Sequence, residues 1–350
     1  MRKISMLLIV VLLLACNSIQ NDETKKFAFE PVKIILDTDM GSDCDDAGAF
    51  AVLHRYADLG RAEIIGCIYS SGKVPFGAGI VEAINIYYGR PDIPIGAYHG
   101  AEVGDPVDKM SAEKIARDTA AFKNSIIYNT DAEEQTRLNR RLLVSNEDHS
   151  ITYVTIGHTK GLYDLLVSGP DDISPLTGYE LVDKKIEKWV SMGGVGASNQ
   201  DQKFVPDWNL FQNGSASYSR YLMENFPRPA YFSDGGSNVM TGKSLKHTPP
   251  GNIVRTVYRD WLWNMSKKTL DDQRSSWDLI AVYFAVEGLG DYLKDSGKGW
   301  MEIDTEMGVR WHKDGGIANR TLIQQMENTD ESFGVYLNDM IGATPKHHEE

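Results

Sequence analysis

Residues 32–47 read VKIILDTDMGSDCDDA, and this stretch decides the fold. It opens with a near-continuous apolar run, Val32 to Leu36, of a length and branching that suit a strand buried on both faces. It closes with Asp45 and Asp46 leading into Asp46 to Tyr56, where apolar residues recur at helical spacing. Carboxylates in a first turn meet the unpaired N–H groups and the positive end of the helix dipole. Between the two elements Gly41 permits a sharp turn. Strand, tight turn and helix in that order are the start of a βαβ unit.

The same alternation continues outward. Ile64 to Tyr69, Ile93 to Ala97, Ile151 to Ile156 and Trp189 to Met192 read as further strands. Ile80 to Tyr88, Leu162 to Val167, Ala216 to Met223, Ile253 to Trp263 and Leu279 to Val286 read as helices. Strands separated by helices predict an α/β fold: an open, mostly parallel, doubly wound sheet with helices on both faces, in a single domain. In such sheets ligands bind beyond the C-terminal ends of the strands. The chemistry is therefore expected just after the apolar runs.

Composition agrees. The chain has 350 residues, 42% hydrophobic and 24% charged, with a formal net charge of −13. That apolar content excludes a disordered chain. The absence of a basic stripe argues against a nucleic-acid partner. Residues 1–15 pair a short basic start, Arg2 and Lys3, with an apolar run too short to span a bilayer. Leu13-Leu14-Ala15-Cys16 resembles a bacterial lipobox, in which the cysteine is lipidated and becomes the new N-terminus. The expected organisation is a signal peptide at 1–15, a polar tether at 16–30 and the domain at 31–345, held to a membrane of the cell envelope through Cys16. Cys44 and Cys67 are then the remaining thiols, expected buried and unpaired. Nothing in the sequence fixes oligomeric state, and a homo-oligomer is compatible with it.

Five carboxylates, Asp37, Asp39, Asp43, Asp45 and Asp46, fall within ten residues directly after the first strand. A helix N-terminus offsets about two such charges, and the remainder repel one another. A hard cation resolves the conflict, and calcium, with six to eight oxygen ligands, suits such a site. The ordinary fate of an acidic run is a solvated loop, but its place after strand one favours metal binding or catalysis. The spacing fits no EF-hand loop.

At this point the residues resemble a family. IILDTDMGSDCDDA is similar to the first signature of the nucleoside hydrolases, the inosine–uridine-preferring N-ribohydrolase superfamily, usually Asp-x-Asp-Pro-Gly-x-Asp-Asp-Ala. Here Met40 replaces the proline and two extra residues precede the Asp-Asp pair. NIYYGRPDIPIG at 85–96, the strand from Ile151, VSMGG followed by PDWN, and Trp277-Asp278 resemble later family segments in the same order. The resemblance implies hydrolysis of the N-glycosidic bond of a nucleoside at a site holding one calcium ion. It implies Asp39 as ligand and general base, Asp46 as a ligand, Ile156 as donor of a backbone carbonyl, and Asp278 as the last ligand. Asp45, Asp207 and Asn209 would bind ribose, Met192 would line its pocket, and Asn199 is nearest to a further substrate-binding asparagine. Asp37 would orient its neighbours.

Departures concern the leaving group. Pyrimidine-tolerant members often carry His before the last aspartate, whereas Trp277 stands here. An aromatic residue at that point stacks on purine bases, so Trp277 implies purine nucleosides. Phe76, Trp208, Trp261 and Trp263 are candidates for an opposing face, and Lys73 stands nearest to a family asparagine. His54 reads as packing, His158 could reach the pocket, and His347 and His348 read as a disordered tail. Two alternatives stay open: a haloacid-dehalogenase-type phosphatase, since Asp37-x-Asp39 follows a first strand, and a surface lipoprotein that binds a nucleoside or sugar without cleaving it.

Overall fold

The computed structural model describes residues 30–194, 203–233, 235–313 and 320–348. The unit from Pro31 onward starts at β1 (Val32–Thr38) and passes through α1 (Asp45–Asp58) to β2 (Ala62–Tyr69), then through α2 (Gly77–Tyr87) to β3 (Ile95–Ala97). Helices α3 (Ala112–Arg117) and α4 (Thr119–Phe122) lead to the short β4 (Glu133–Glu134). There follow α5 (Gln135–Val144), β5 (Ile151–Thr155), α6 (Lys160–Val167), α7 (Gly178–Lys185), β6 (Ile186–Met192), α8 (Ala216–Asn225) and β7 (Ala230–Ser233). Strands β8 (Met240–Thr241) and β9 (Arg274–Ser275) flank α9 (Ile253–Ser266), and α10 (Trp277–Glu287) comes next. The chain continues through β10 (Leu293–Lys298), β11 (Trp300–Asp304), β12 (Gly308–His312), β13 (Arg320–Gln325) and α11 (Asp330–Gly342).

Nine strands form one sheet in the order β10-β13-β7-β6-β5-β1-β2-β3-β4. Every pairing in it is parallel except β10 with β13. From β1 the chain moves outward through β2, β3 and β4, then returns to lay β5 on the other side of β1. The strand order therefore reverses between β1 and β5, which is where an open α/β sheet leaves a crevice.

Apolar side chains on both faces explain the unbroken apolar strands. Ile34 and Leu36 of β1 join one core with α1, α2, α9, α10 and α11. Ile35, between them, points the other way into a second core with α5, α6, α7 and α8. Gly48 brings α1 close to its neighbours, since a Cβ there would sit 2.4 Å from the Tyr258 hydroxyl and 2.9 Å from Leu279.

Most elements match the sequence reading, with ends shifted by a few residues. Strands β4 and β7 to β13 and helices α3, α4, α5, α7 and α11 are additions to it. Cys44 and Cys67 are buried and unpaired, as expected, and burial pushes the Cys67 thiol up to about 12. His54 is a packing residue: it stacks on Tyr88 at 4.6 Å and bonds Asn85 at 2.9 Å, and burial lowers its pKa to about 3. His347 and His348 correct the expectation of a disordered tail. They lie in a 3-10 turn, with His348 edge-on to Tyr87 at 5.2 Å. The lipobox and Cys16 lie outside the described residues. Among the described residues, no helix is long and apolar enough to cross a membrane.

Candidate active site

The C-terminal ends of β1, β5 and β6 open into a cavity of about 320 Å³, within the size range of small-molecule sites. Asp39, just past β1, lines it, as do Asp45 and Asp46 at the start of α1 and Asp278 in the first turn of α10. Helices α1 and α10 pack together, so their two N-termini bring Asp45 and Asp278, 233 residues apart in sequence, to one point. The backbone N–H of Asp278 bonds Asp45 Oδ2 at 3.3 Å, which ties the two helix starts together. Ile156 after β5, Met192 at the end of β6, and Asn209 complete the floor. Asn209 Nδ2 donates to the Ile156 carbonyl at 3.0 Å and lies 3.1 Å from Met192 Sδ.

The floor is acidic and buried. Asp39, Asp45, Asp46 and Asp278 are all nearly fully buried. Burial pushes Asp45, Asp46 and Asp278 well above the usual carboxylate range, and repulsion from neighbouring carboxylates adds to the rise, from Asp43 on Asp45 and from Asp39 and Asp45 on Asp46 and Asp278. Thr38 Oγ1 donates to Asp46 and opposes part of it. Asp39 Oδ2 is buried without a hydrogen bond, although His158 Nδ1 lies 3.1 Å away. Among the described residues, Asp45, Asp46 and Asp278 each place an oxygen within 4.8 Å of the others. Buried carboxylates this close need a positive charge or retained protons. An all-oxygen donor set of this kind fits a hard divalent cation.

Supporting residues hold the floor in shape. Asp37 is fully buried behind it, accepts from Tyr153 at 3.1 Å, and has its pKa raised well by burial. Gly157 is required by contact: a Cβ there would lie 2.4 Å from the Asp39 backbone nitrogen. Asp207 does not line the cavity. Its carboxylate accepts from the backbone N–H groups of Gly194, Asn209 and Leu210 at 2.9, 3.0 and 2.7 Å and so shapes the loop that presents Asn209. Its pKa is raised by burial, against those three bonds.

The mouth is aromatic and cationic. Trp208, Trp261, Trp277, Met265, Lys109 and Arg274 line it. Trp208 and Met265 are 42% and 46% exposed. Trp261 donates to the Ser42 carbonyl at 3.0 Å, and Trp277 to Ser237 Oγ at 3.2 Å. Lys109 pairs with Asp105 at 2.8 Å and sits over Trp208.

The structure thus brings Asp39, Asp45, Asp46, Ile156, Met192, Asn209, Trp277 and Asp278 to one cavity. Asn199 lies outside the described residues. Lys73 is not at the cavity, because its loop is tied aside by the Gly72 N–H bond to the Val103 carbonyl at 2.9 Å. Phe76 packs instead on Tyr128 and Arg117. Trp263, two positions after Trp261 on α9, faces solvent. His158 stands behind Asp39 rather than in the cavity. Ser42, Lys109, Met265 and Arg274 are cavity residues that the sequence reading did not single out.

No protein-family model matches the chain, and no curated protein matches it. Solved structures do. A purine-preferring ribonucleoside hydrolase from Gardnerella vaginalis superposes with a TM-score of 0.62 at 17% identity, over 90% of this chain and 99% of that one. An inosine–guanosine nucleoside hydrolase gives 0.62 at 16% identity, over 88% and 98%. A type III effector protein solved with adenosine diphosphate ribose gives 0.58 at 12% identity, over 91% and 94%. The chain shares the fold of the nucleoside hydrolases along nearly its whole described length.

Proposed function

We propose that this protein is a calcium-dependent nucleoside hydrolase that cleaves the N-glycosidic bond of purine ribonucleosides. The single observation that carries this reading is the buried convergence of Asp39, Asp45, Asp46 and Asp278 beneath an aromatic mouth, at the switch point of a fold shared with nucleoside hydrolases. Asp39, Asp46, Asp278 and the Ile156 carbonyl would hold the ion, with Asp45 at its edge. When bound, a calcium ion there supplies charge compensation, orientation of the ribose diol and a more acidic attacking water.

The residues perform the remaining work. Asp39, which lines the cavity with His158 Nδ1 3.1 Å behind its Oδ2, removes the proton of the attacking water. Asp45 and Asn209 hold ribose hydroxyls and fix the sugar against the floor. The ring passes through an oxocarbenium-like state, and the surrounding carboxylates stabilise its positive charge in a water-poor setting. The mouth tryptophans receive the flat base. Lipidation at Cys16 would place the reaction at a membrane of the cell envelope.

A second reading, nucleoside binding without turnover, is favoured by the absence of a histidine before Asp278 and by the likeness to the effector solved with adenosine diphosphate ribose. One panel separates them. Purified domain is incubated with purine and pyrimidine nucleosides and with phosphate esters, with and without chelator, and base, reducing sugar and phosphate are assayed. Chelator-sensitive release of base and ribose in equal amounts is expected. Tight binding without release supports the second reading, and phosphate release supports a phosphatase.

A further inference from the structure

Arg274 is the one mouth residue that combines a permanent charge with an unusually fixed position. Its backbone is set by the pairing of β8 with β9, Thr241 facing Arg274. Asn338 of α11 braces that pair through the Met240 carbonyl at 2.9 Å. The side chain is clamped by a two-point pair with Asp43, Nε to Oδ1 at 3.1 Å and Nη2 to Oδ2. Its guanidinium lies over the rings of both Trp261 and Trp277, at 4.5 and 4.6 Å. Such a rigid, stacked fork loses little freedom when it makes another bond. Nη1 has no hydrogen-bond partner among the described residues. One ring face of Trp277 is therefore occupied by a cation rather than open to a stacked base.

The cavity is graded from floor to mouth. Carboxylates that suit a sugar diol and a developing positive charge lie at the buried end. Arg274 and the exposed Trp208 lie toward the outer end with Trp277, and Trp261 is buried beside Arg274; the base of a floor-bound nucleoside would sit among them. Cleavage sends the electron pair of the C1′–N bond onto the base. Among the described residues, no histidine, cysteine or tyrosine lines the cavity to give that nitrogen a proton. Resting on the hydrolase reading above, we infer that Arg274 is a catalytic residue that stabilises the departing base as an anion, in place of a general acid. The water oxygen bonds to C1′, its proton passes to Asp39, and the C1′–N bond breaks. The base leaves as an anion paired with the guanidinium and then takes a proton from solvent, as Asp39 returns its own. A guanidinium does not deprotonate in proteins, so it serves by charge and hydrogen bonds and not by proton transfer. A fixed donor aimed at charge that develops in the transition state is worth roughly 10²–10³ in rate.

The test compares a nucleoside with p-nitrophenyl riboside, whose leaving group departs as an anion without help. Wild type, Arg274→Gln and Arg274→Lys are assayed on both substrates, with calcium binding measured by calorimetry as a check on the floor. Arg274→Gln is expected to lose about 10²–10³ in kcat on inosine yet less than about tenfold on the aryl riboside, with calcium binding unchanged. Arg274→Lys should recover part of the inosine rate. Equal losses on both substrates would show a merely structural role, and an unchanged inosine rate would show none; either overturns the inference alone. Wild-type protein inert toward both substrates would overturn the hydrolase reading, and this inference with it.

Discussion

Replacing Asp278 by Asn should stabilise the chelated protein, because the acidic floor opposes folding when no cation is bound. Oxygens of Asp45, Asp46 and Asp278 lie within 4.8 Å of one another. Two unit charges at that separation repel by roughly 3 kcal/mol at an effective dielectric of about 20. Full ionisation of all three would then cost on the order of 10 kcal/mol, comparable with the whole stability of a domain, roughly 5–15 kcal/mol. The trio therefore holds on to protons, which is what the raised pKa values of all three express. A raised carboxylate pKa means that the folded state binds more protons than the unfolded one above about pH 4, so stability falls as pH rises through that window. Protonation already relieves much of the repulsion, so the variant should gain about 1–2 kcal/mol at pH 8 and less at pH 5. Urea unfolding of chelated wild type and Asp278→Asn at the two pH values measures this. Calcium at about 100 times its Kd should add roughly 2.7 kcal/mol to wild type and much less to the variant. Chelated wild type equally stable at pH 5 and pH 8, or calcium stabilising the variant as much as wild type, would refute the reasoning.

Asp39→Asn should keep the fold but lower kcat on nucleosides by roughly 10²–10⁴, read by base release alongside circular dichroism. Asn209→Ala removes the donor to the Ile156 carbonyl and a group proposed to hold ribose, and should raise KM more than it lowers kcat in steady-state kinetics. Gly157→Ala places a Cβ 2.4 Å from the Asp39 nitrogen, so it should cost about 1–3 kcal/mol in urea unfolding and also impair turnover, because the backbone that must move carries Asp39.

How much of this was legible in the sequence follows from locality. The turn from β1 to α1 announces itself because its strand, glycine and helix-opening aspartates are contiguous. Asp278 was legible through its neighbour Trp277 and the apolar helix that follows. Lys109 gave no such signal: it stands in an irregular loop, and only the folding of that loop against α9 brings it to the cavity. Arg274 lies on a two-residue strand, too short to show any period. Strand β10 escaped notice because it reads LKDSGK and is a mostly exposed edge with little apolar alternation. Helix α7 was detectable, since Thr177 and Glu180 form a capping box at its start, a spacing visible in the sequence. That Arg274 lies over one face of the Trp277 ring was hidden for a similar reason, as no local pattern shows it.

The central claim is that the buried carboxylate floor binds one calcium ion and that nucleoside hydrolysis depends on it. It is tested most directly by titrating calcium into chelated protein while inosine cleavage and ion binding are followed together. The account predicts no turnover without calcium, one bound ion per chain, and base release that rises in step with occupancy. Full activity in chelator, or a filled site with no cleavage of any nucleoside, would contradict it.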